Sequence, residues 1–394
     1  MKRVYLDNAA TTPVKNEVLK AMIDTLKYSF GNPSSIQHSY GRESRSIIEE
    51  SRISIANNIH ASPSEILFTS GGTEGNNLVL RSSISDLKIK HIITSKLEHI
   101  SVLRTVTYLS SNNIGISVHF INFNEKGVHD IDHLEYLLKK YSSKKTLVSL
   151  MYANNEIGNI LEIDKVIPIC KKYGAYFHSD AVQFIGNFPV NMKKMLFDFL
   201  TASAHKFYGP KGIGFVFIRK NILNKIKYFI TGGQQEYGIR SGTENTYGIV
   251  GISEALKLSY KESFNHIDKM KKLKSYCILE LKKIIPNVIF NGLSYNLYKS
   301  IPTILNFLYP IDKIDNLLYF RLDLMGISVS KGSSCDNSGD NSNKGISHVI
   351  KSITSENFLK KMMPIRISFG FFNKMKDVDL LIQSLQEIKK NIVI

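Results

Sequence analysis

Apolar residues along this chain gather in short runs rich in β-branched and aromatic side chains. Longer stretches between them repeat apolar positions every three or four residues. Runs of the first kind span Ile66 to Thr69, His91 to Thr94, Ile116 to Phe120, Thr146 to Tyr152, Ala175 to Ser179, Phe199 to Ala202 and Gly214 to Arg219, and each predicts a strand. Helical spacing from Glu43 to Ile59, His133 to Tyr141 and Ile163 to Tyr173 separates most of them. Strands alternating with helices predict a largely parallel sheet covered on both faces. The connection from Ala202 to Gly214 is too short for a helical crossover and fits a hairpin carrying one antiparallel strand.

Beyond Gly242 the pattern changes. One long lysine-rich helix, about Ile249 to Ile285, leads to strands at Val288 to Phe290, Thr303 to Phe307, Ile327 to Ser330 and Ile365 to Phe369. A final helix, about Lys376 to Asn391, follows. These changes place a larger domain over 14–256 and a smaller one over 257–394; segment 1–13 is expected to pack with the smaller. No internal repeat is visible, and the one low-complexity patch is polar, Asp336 to Lys344.

Composition narrows the class. A chain of 394 residues that is 43% hydrophobic and 22% charged reads as an ordinary globular protein. The opening MKRVYLDNAATTP has a charged head but no apolar run, so no secretory leader is expected, and no stretch has the length of a membrane span. Three cysteines, Cys170, Cys277 and Cys335, none in a CxxC pair, argue against a disulfide framework or a cysteine zinc site and for a reducing cytoplasm. The net charge of +17 comes from lysines spread along the whole chain. With no basic stripe interleaved with aromatics, direct nucleic-acid binding is not expected.

Candidate chemistry gathers at predicted strand ends. Ser70-Gly71-Gly72-Thr73-Glu74 joins a strand to a helix, where free N–H groups can receive a phosphate; it is neither a Walker loop nor a GxGxxG turn. Glu98-His99, Asn154-Asn155-Glu156 and Asp180 each follow a strand, and parallel strands open their C-terminal ends onto one crevice. Lys206, just past another strand, together with Asp180, is what pyridoxal 5'-phosphate (PLP) requires: an amine for a Schiff base and an acid to keep the ring nitrogen protonated. Cys335, in a Ser/Gly run with Lys331 nearby, fits a nucleophilic thiol, whereas Cys170 and Cys277 fit buried helix positions. Ser203 and Lys206 form an SxxK pair, but without the KTG or SDN that accompany it in penicillin-binding enzymes. Calcium-loop spacing from Asp340 fails because Lys344 and Lys351 fall on ligand positions.

Tyr5-Leu6-Asp7-Asn8-Ala9-Ala10-Thr11-Thr12-Pro13, Phe30-Gly31-Asn32-Pro33-Ser34-Ser35, Asn154 to Gly158, Ser203 to Gly214 and Arg240-Ser241-Gly242-Thr243 occur in this order over almost the whole chain. In these motifs it resembles the PLP-dependent cysteine desulfurases of the class V aminotransferase family. The resemblance implies an α/β protein of PLP-dependent transferase fold type I, whose large domain has a mostly parallel seven-stranded sheet beside a smaller α/β domain. It also implies a cytoplasmic homodimer. Lys206 would hold the cofactor and move protons, and Asp180 would face the pyridine nitrogen. His99 would stack on the ring, with Gln183 and Asn155 beside it. Gly72, Thr73, Ser203 and His205 would hold the phosphate, and Thr243 would reach in from the partner subunit. Arg366, with Asn32 nearby, would grip the carboxylate of L-cysteine. Cys335 would take the sulfur as a persulfide, for delivery to an iron–sulfur scaffold or a tRNA-thiolation protein.

Three features depart from the family pattern. The polar stretch after Cys335 is longer, Gln234 stands where relatives often have glycine, and the C-terminal extension toward a scaffold protein is not evident. Selenocysteine lyase and class V aminotransferase are the neighbouring enzyme readings. A degenerate scaffold or nucleic-acid-binding protein is the non-enzymatic one, and the joint presence of Lys206, Asp180, His99 and Cys335 speaks against it.

Overall fold

The computed structural model describes residues 3–112, 115–141, 145–311, 317–332 and 346–392. A short strand, β1 (Val4–Tyr5), opens the fold. Seven strands then build one sheet: β2 (Ile66–Thr69), β3 (His91–Thr94), β4 (Ser117–Phe120), β5 (Thr146–Ser149), β6 (Tyr176–Asp180), β7 (Phe199–Ser203) and β8 (Gly214–Ile218), in the order β2-β8-β7-β6-β5-β3-β4. Six run in one direction, and β8 alone runs against both of its neighbours. The short connection after β7 therefore does make the expected hairpin.

Successive strand residues face opposite sides of the sheet, and both sides are covered. Phe68, Ile93, Val148, Phe177, Leu200 and Phe215 pack on one face with α2 (Ser39–Ile59), while Leu67, Ile92, Leu147, Phe199 and Val216 pack on the other with α3 (Gly72–Ser85) and α4 (Ile100–Asn112). Such two-sided burial explains why β5, β7 and β8 are buried at every residue.

A separate apolar cluster forms around an antiparallel sheet of β9 (Ile289–Phe290), β10 (Ile304–Pro310) and β12 (Met362–Ser368), ordered β12-β10-β9. The chain's first strand belongs here: β1 pairs in parallel with β11 (Ile327–Ser328), and Val4 and Leu6 pack with Met270, Leu273, Phe307 and Ile365.

The single long helix expected over Ile249 to Ile285 is two helices, Thr246–Lys261 and Ser263–Ile284. At Glu262 the backbone leaves the helical region (φ −100°, ψ 0°), and the Ser263 hydroxyl donates to the Tyr260 carbonyl. The Glu262 carboxylate accepts from the Lys15 ammonium at 2.6 Å, far away in sequence. No glycine or proline marks this break, so local propensity could not reveal it. Apolar side chains before it pack in the large-sheet core, and those from Met270 onward pack in the second cluster.

One buried and two half-buried imidazoles tie this fold to pH. Burial pushes His178 down to about 3, and His129 and His266 down to about 4; Lys15 and Lys269 add to the effect at His266. Below the ordinary histidine value the unfolded chain takes up protons that the folded chain refuses, so stability falls as pH drops from about 6.5 toward 4. Thermal unfolding midpoints measured across this window are expected to decline steadily with acidity. A flat profile would mean that these rings are protonated in the native state.

Candidate active site

The parallel strands end at one side of the sheet, and the turns that follow them enclose a cavity of about 220 Å³. Gly72 and Thr73 enter it after β2, His99 after β3, and Asn155 after β5. Asp180 and Gln183 follow from β6, and Ser203, His205 and Lys206 from β7. Arg366, on β12 of the second sheet, forms part of the wall.

Lys206 and Gln183 share one anchor. The lysine ammonium donates to the main-chain carbonyls of Ala9 (2.6 Å) and Ala10 (2.8 Å), and the Gln183 amide donates to the Ala9 carbonyl (2.9 Å). His205 lies within 3.2 Å of the Thr11 hydroxyl. Burial, with the charges of Lys206 and Lys211, pushes its imidazole down to about 4, so it is neutral at pH 7.

Asp180 is built into a hydrogen-bond chain that ends on His99. Its Oδ2 accepts from Asn76 Nδ2 (2.7 Å) and its Oδ1 from the Val182 N–H (3.0 Å). The same Asn76 amide donates to the Ser101 hydroxyl (2.8 Å), which lies 2.8 Å from His99 Nδ1. Nδ1 also accepts the Ser101 N–H at 3.1 Å, which places the N–H of a singly protonated ring on Nε2. Glu98, next to His99, is fully buried outside the cavity and accepts the Met151 N–H at 2.7 Å. Burial, reinforced by the nearby Asp180, holds its carboxyl well above the usual carboxylate range.

The turn after β2 is shaped for an anion. Gly71 adopts φ +150°, a conformation that side-chain-bearing residues rarely take, and α3 starts at Gly72 with free first-turn N–H groups. A Cβ on Gly72 would stand 2.8 Å from the Val182 side chain. Thr73, Ser203 and neutral His205 supply further donors at the same end of the cavity. A helix start open to a phosphate, an acid braced by two N–H donors and a lysine amine in one cavity suit PLP.

Arg366 is 2% exposed. Its Nη2 donates to Asp7 Oδ1 (2.9 Å) and its Nη1 to the Asn155 carbonyl (2.9 Å), with Glu156 Oε1 3.9 Å from Nη1.

Not every expected residue reaches the cavity. Asn32 is exposed, its Oδ1 accepting the Ser34 N–H at 2.9 Å, and Thr243 is exposed; neither lines the cavity. Cys335 lies outside the described residues. Conversely, Asn76, Ser101 and the carbonyls of Ala9 and Ala10 went unnoticed in the sequence. Asn76 had a signal: it shares a helix face with Val79, Leu80 and Ser83, all buried, and a polar side chain on such a face needs partners.

The profile of the family described as aminotransferase class V matches residues 4–381. This chain belongs to that family. A relative in Dictyoglomus turgidum, named cysteine desulfurase IscS, is 42% identical over 391 residues, covering 98% of this chain and 95% of the relative. Among solved structures, a NifS-like protein superposes with a TM-score of 0.88 at 34% identity over 99% of this chain and 100% of its own. A protein described as SspA in complex with cysteine superposes with a TM-score of 0.77 at 30% identity, covering 93% of this chain and 99% of its own. The class V chain described here is an enzyme of PLP fold type I, and its cofactor is PLP.

The Asn76 chain makes a testable demand. Asn76→Leu keeps the volume but removes both donors, leaving Asp180 short of one charge-assisted hydrogen bond at a cost of about 1.5–3 kcal/mol. PLP affinity, measured by absorbance titration of the apoprotein, is expected to fall tenfold or more. An unchanged affinity would show that Asp180 is held well enough by Val182 alone.

Proposed function

We infer that this protein is a cysteine desulfurase: it converts L-cysteine to L-alanine and transfers the sulfur to Cys335. The observation that carries this reading is the convergence of the Lys206 amine, the Asp180 carboxylate, the His99 ring and the Arg366 guanidinium on one cavity. The activity named for the Dictyoglomus relative and the cysteine bound in the SspA structure support it.

When bound, PLP withdraws electrons from the substrate Cα, so that its C–H and side-chain bonds weaken. The chain's own residues do the rest. Arg366 takes the substrate carboxylate through its guanidinium. Lys206, released from the Ala9 and Ala10 carbonyls, moves the proton at Cα. His99, its tautomer set by Ser101, presents an Nε2 proton toward the cavity. Thr73, the Gly72 N–H, Ser203 and His205 would hold the phosphate, and Asn155 and Gln183 would flank the ring. The Cys335 thiolate attacks the substrate sulfur; an S–S bond forms as the C–S bond breaks, and the carbon product leaves as L-alanine. Thiol plus L-cysteine thus balances persulfide plus L-alanine, with no added oxidant.

The working unit is a homodimer. Leu26, Tyr28 and Phe30 on one segment and Tyr237 and Tyr247 on another are all exposed aromatic or aliphatic side chains, and the second group flanks Thr243. Pairing through this face would cover them and carry Thr243 and Asn32 toward the partner's cavity. The sulfur goes on to an acceptor protein of iron–sulfur assembly or tRNA thiolation in the cytoplasm.

The test is peptide mass spectrometry of the PLP-loaded protein after brief exposure to L-cysteine without reductant. One added sulfur on the Cys335 peptide, with L-alanine released, is expected in the wild type and absent in Lys206→Ala. Alanine formation that depends on an added amino donor, with Cys335 unmodified, would replace this reading with an aminotransferase.

A further inference from the structure

Arg366 has two acidic side chains beside it. Asp7 Oδ1 lies 2.9 Å from Nη2 and Glu156 Oε1 lies 3.9 Å from Nη1, which also donates to the Asn155 carbonyl. Nε, buried as well, finds no hydrogen-bond partner among the described residues. Each Nη group thus has one N–H engaged by the protein itself and a second that can turn to an incoming carboxylate.

Asp7 is not a surface acid that has drifted onto the arginine. It bridges in parallel register to Ser368, two residues past Arg366 on the same strand, and the next residue, Asn8, binds the Ser368 carbonyl through its side-chain amide at 2.9 Å. The Tyr5 hydroxyl donates to the Asp7 carbonyl at 3.0 Å. The backbone thus fixes the Asp7 carboxylate beside the guanidinium before any ligand arrives. Its side chain remains 19% exposed, against 2% for Arg366, so the pair is only partly shielded from solvent.

We propose that Asp7 is a positioning residue that holds Arg366 in place in the substrate-free protein and, by remaining there, lowers affinity for the substrate carboxylate. The proposal rests on the reading of Arg366 as the carboxylate-binding group. A buried guanidinium stripped of its counter-charge is strongly unfavourable, which accounts for an internal acid. Once the substrate docks, two carboxylates share one cation, and their mutual repulsion at low effective dielectric opposes binding.

The experiment replaces charge while keeping shape. For Asp7→Asn in the PLP-loaded protein, KM for L-cysteine is expected to fall about five-fold, a repulsion discounted for partial exposure, with kcat within about two-fold of wild type. The melting temperature of the substrate-free variant should drop. The thiol acid 3-mercaptopropionate, which has the carboxylate but no amine, should raise it more than it does in wild type. Asp7→Ser serves the same comparison if the asparagine variant folds poorly. A KM that rises or stays level, with a lowered melting temperature in either variant, would reduce Asp7 to a structural role and overturn the proposal. Arg366→Gln separates the two claims: a raised KM there sustains the carboxylate site whatever Asp7 does, and an unchanged KM removes that site and the proposal with it.

Discussion

The site depends on one short segment, Asp7 to Thr12, laid between the two apolar cores. Its carbonyls at Ala9 and Ala10 receive the Lys206 ammonium, and the Ala9 carbonyl also receives Gln183. Thr12 closes the same loop through two bonds to the His205 carbonyl and one from the Tyr208 N–H. On the other side, Ala9 N–H donates to the Ser368 hydroxyl and Asp7 pairs with Arg366. Six residues thus join the turn that carries the lysine to the strand that carries the arginine. The Ala9 and Ala10 carbonyls and the Ala9 N–H, being main-chain groups, have no rotamer to change, so the side chains they receive find fixed partners.

Much of the architecture was legible because it is written in periodicity. Short β-branched runs alternating with amphipathic helices gave the seven strands, and the brevity of the connection after Ala202 gave the reversed strand. Polar residues directly after strands gave Asp180, His99 and Lys206, since a parallel sheet delivers all such positions to one rim. What stayed hidden depends on distant partners. The helix break at Glu262 answers to Lys15, 247 residues away, and the Ala9 and Ala10 carbonyls carry no side-chain signature at all. Asn32 and Thr243 were named from family likeness, and within a single chain they stay outside the cavity.

Burial decides which groups in and around the cavity carry charge. Asp180 receives two N–H donors, whereas Glu98 receives one, and burial with Asp180 as a neighbour holds its carboxyl well above the usual carboxylate range. The imidazoles of His178 and His205 are neutral for the same reason. A cavity whose supporting groups are mostly neutral leaves the fields of its few ions undiluted, which is the condition under which a fixed charge most influences a reacting carbon.

The clasp between Asp7 and Arg366 spans 359 positions of the chain. A ribosome adding roughly 5–20 residues per second needs on the order of 20–70 s to travel that distance. Throughout that interval the first strand exists without the partner strand it packs against, and the lysine loop exists without its finished wall. The sheet between Ile66 and Ile218 can assemble from segments already made, but the pocket rim cannot close until Arg366 on β12 has emerged. The residues that would hold the cofactor, Gly72 to Lys206, are therefore made long before the arginine that closes the substrate side, and a nascent chain cut short of β12 presents the one without the other.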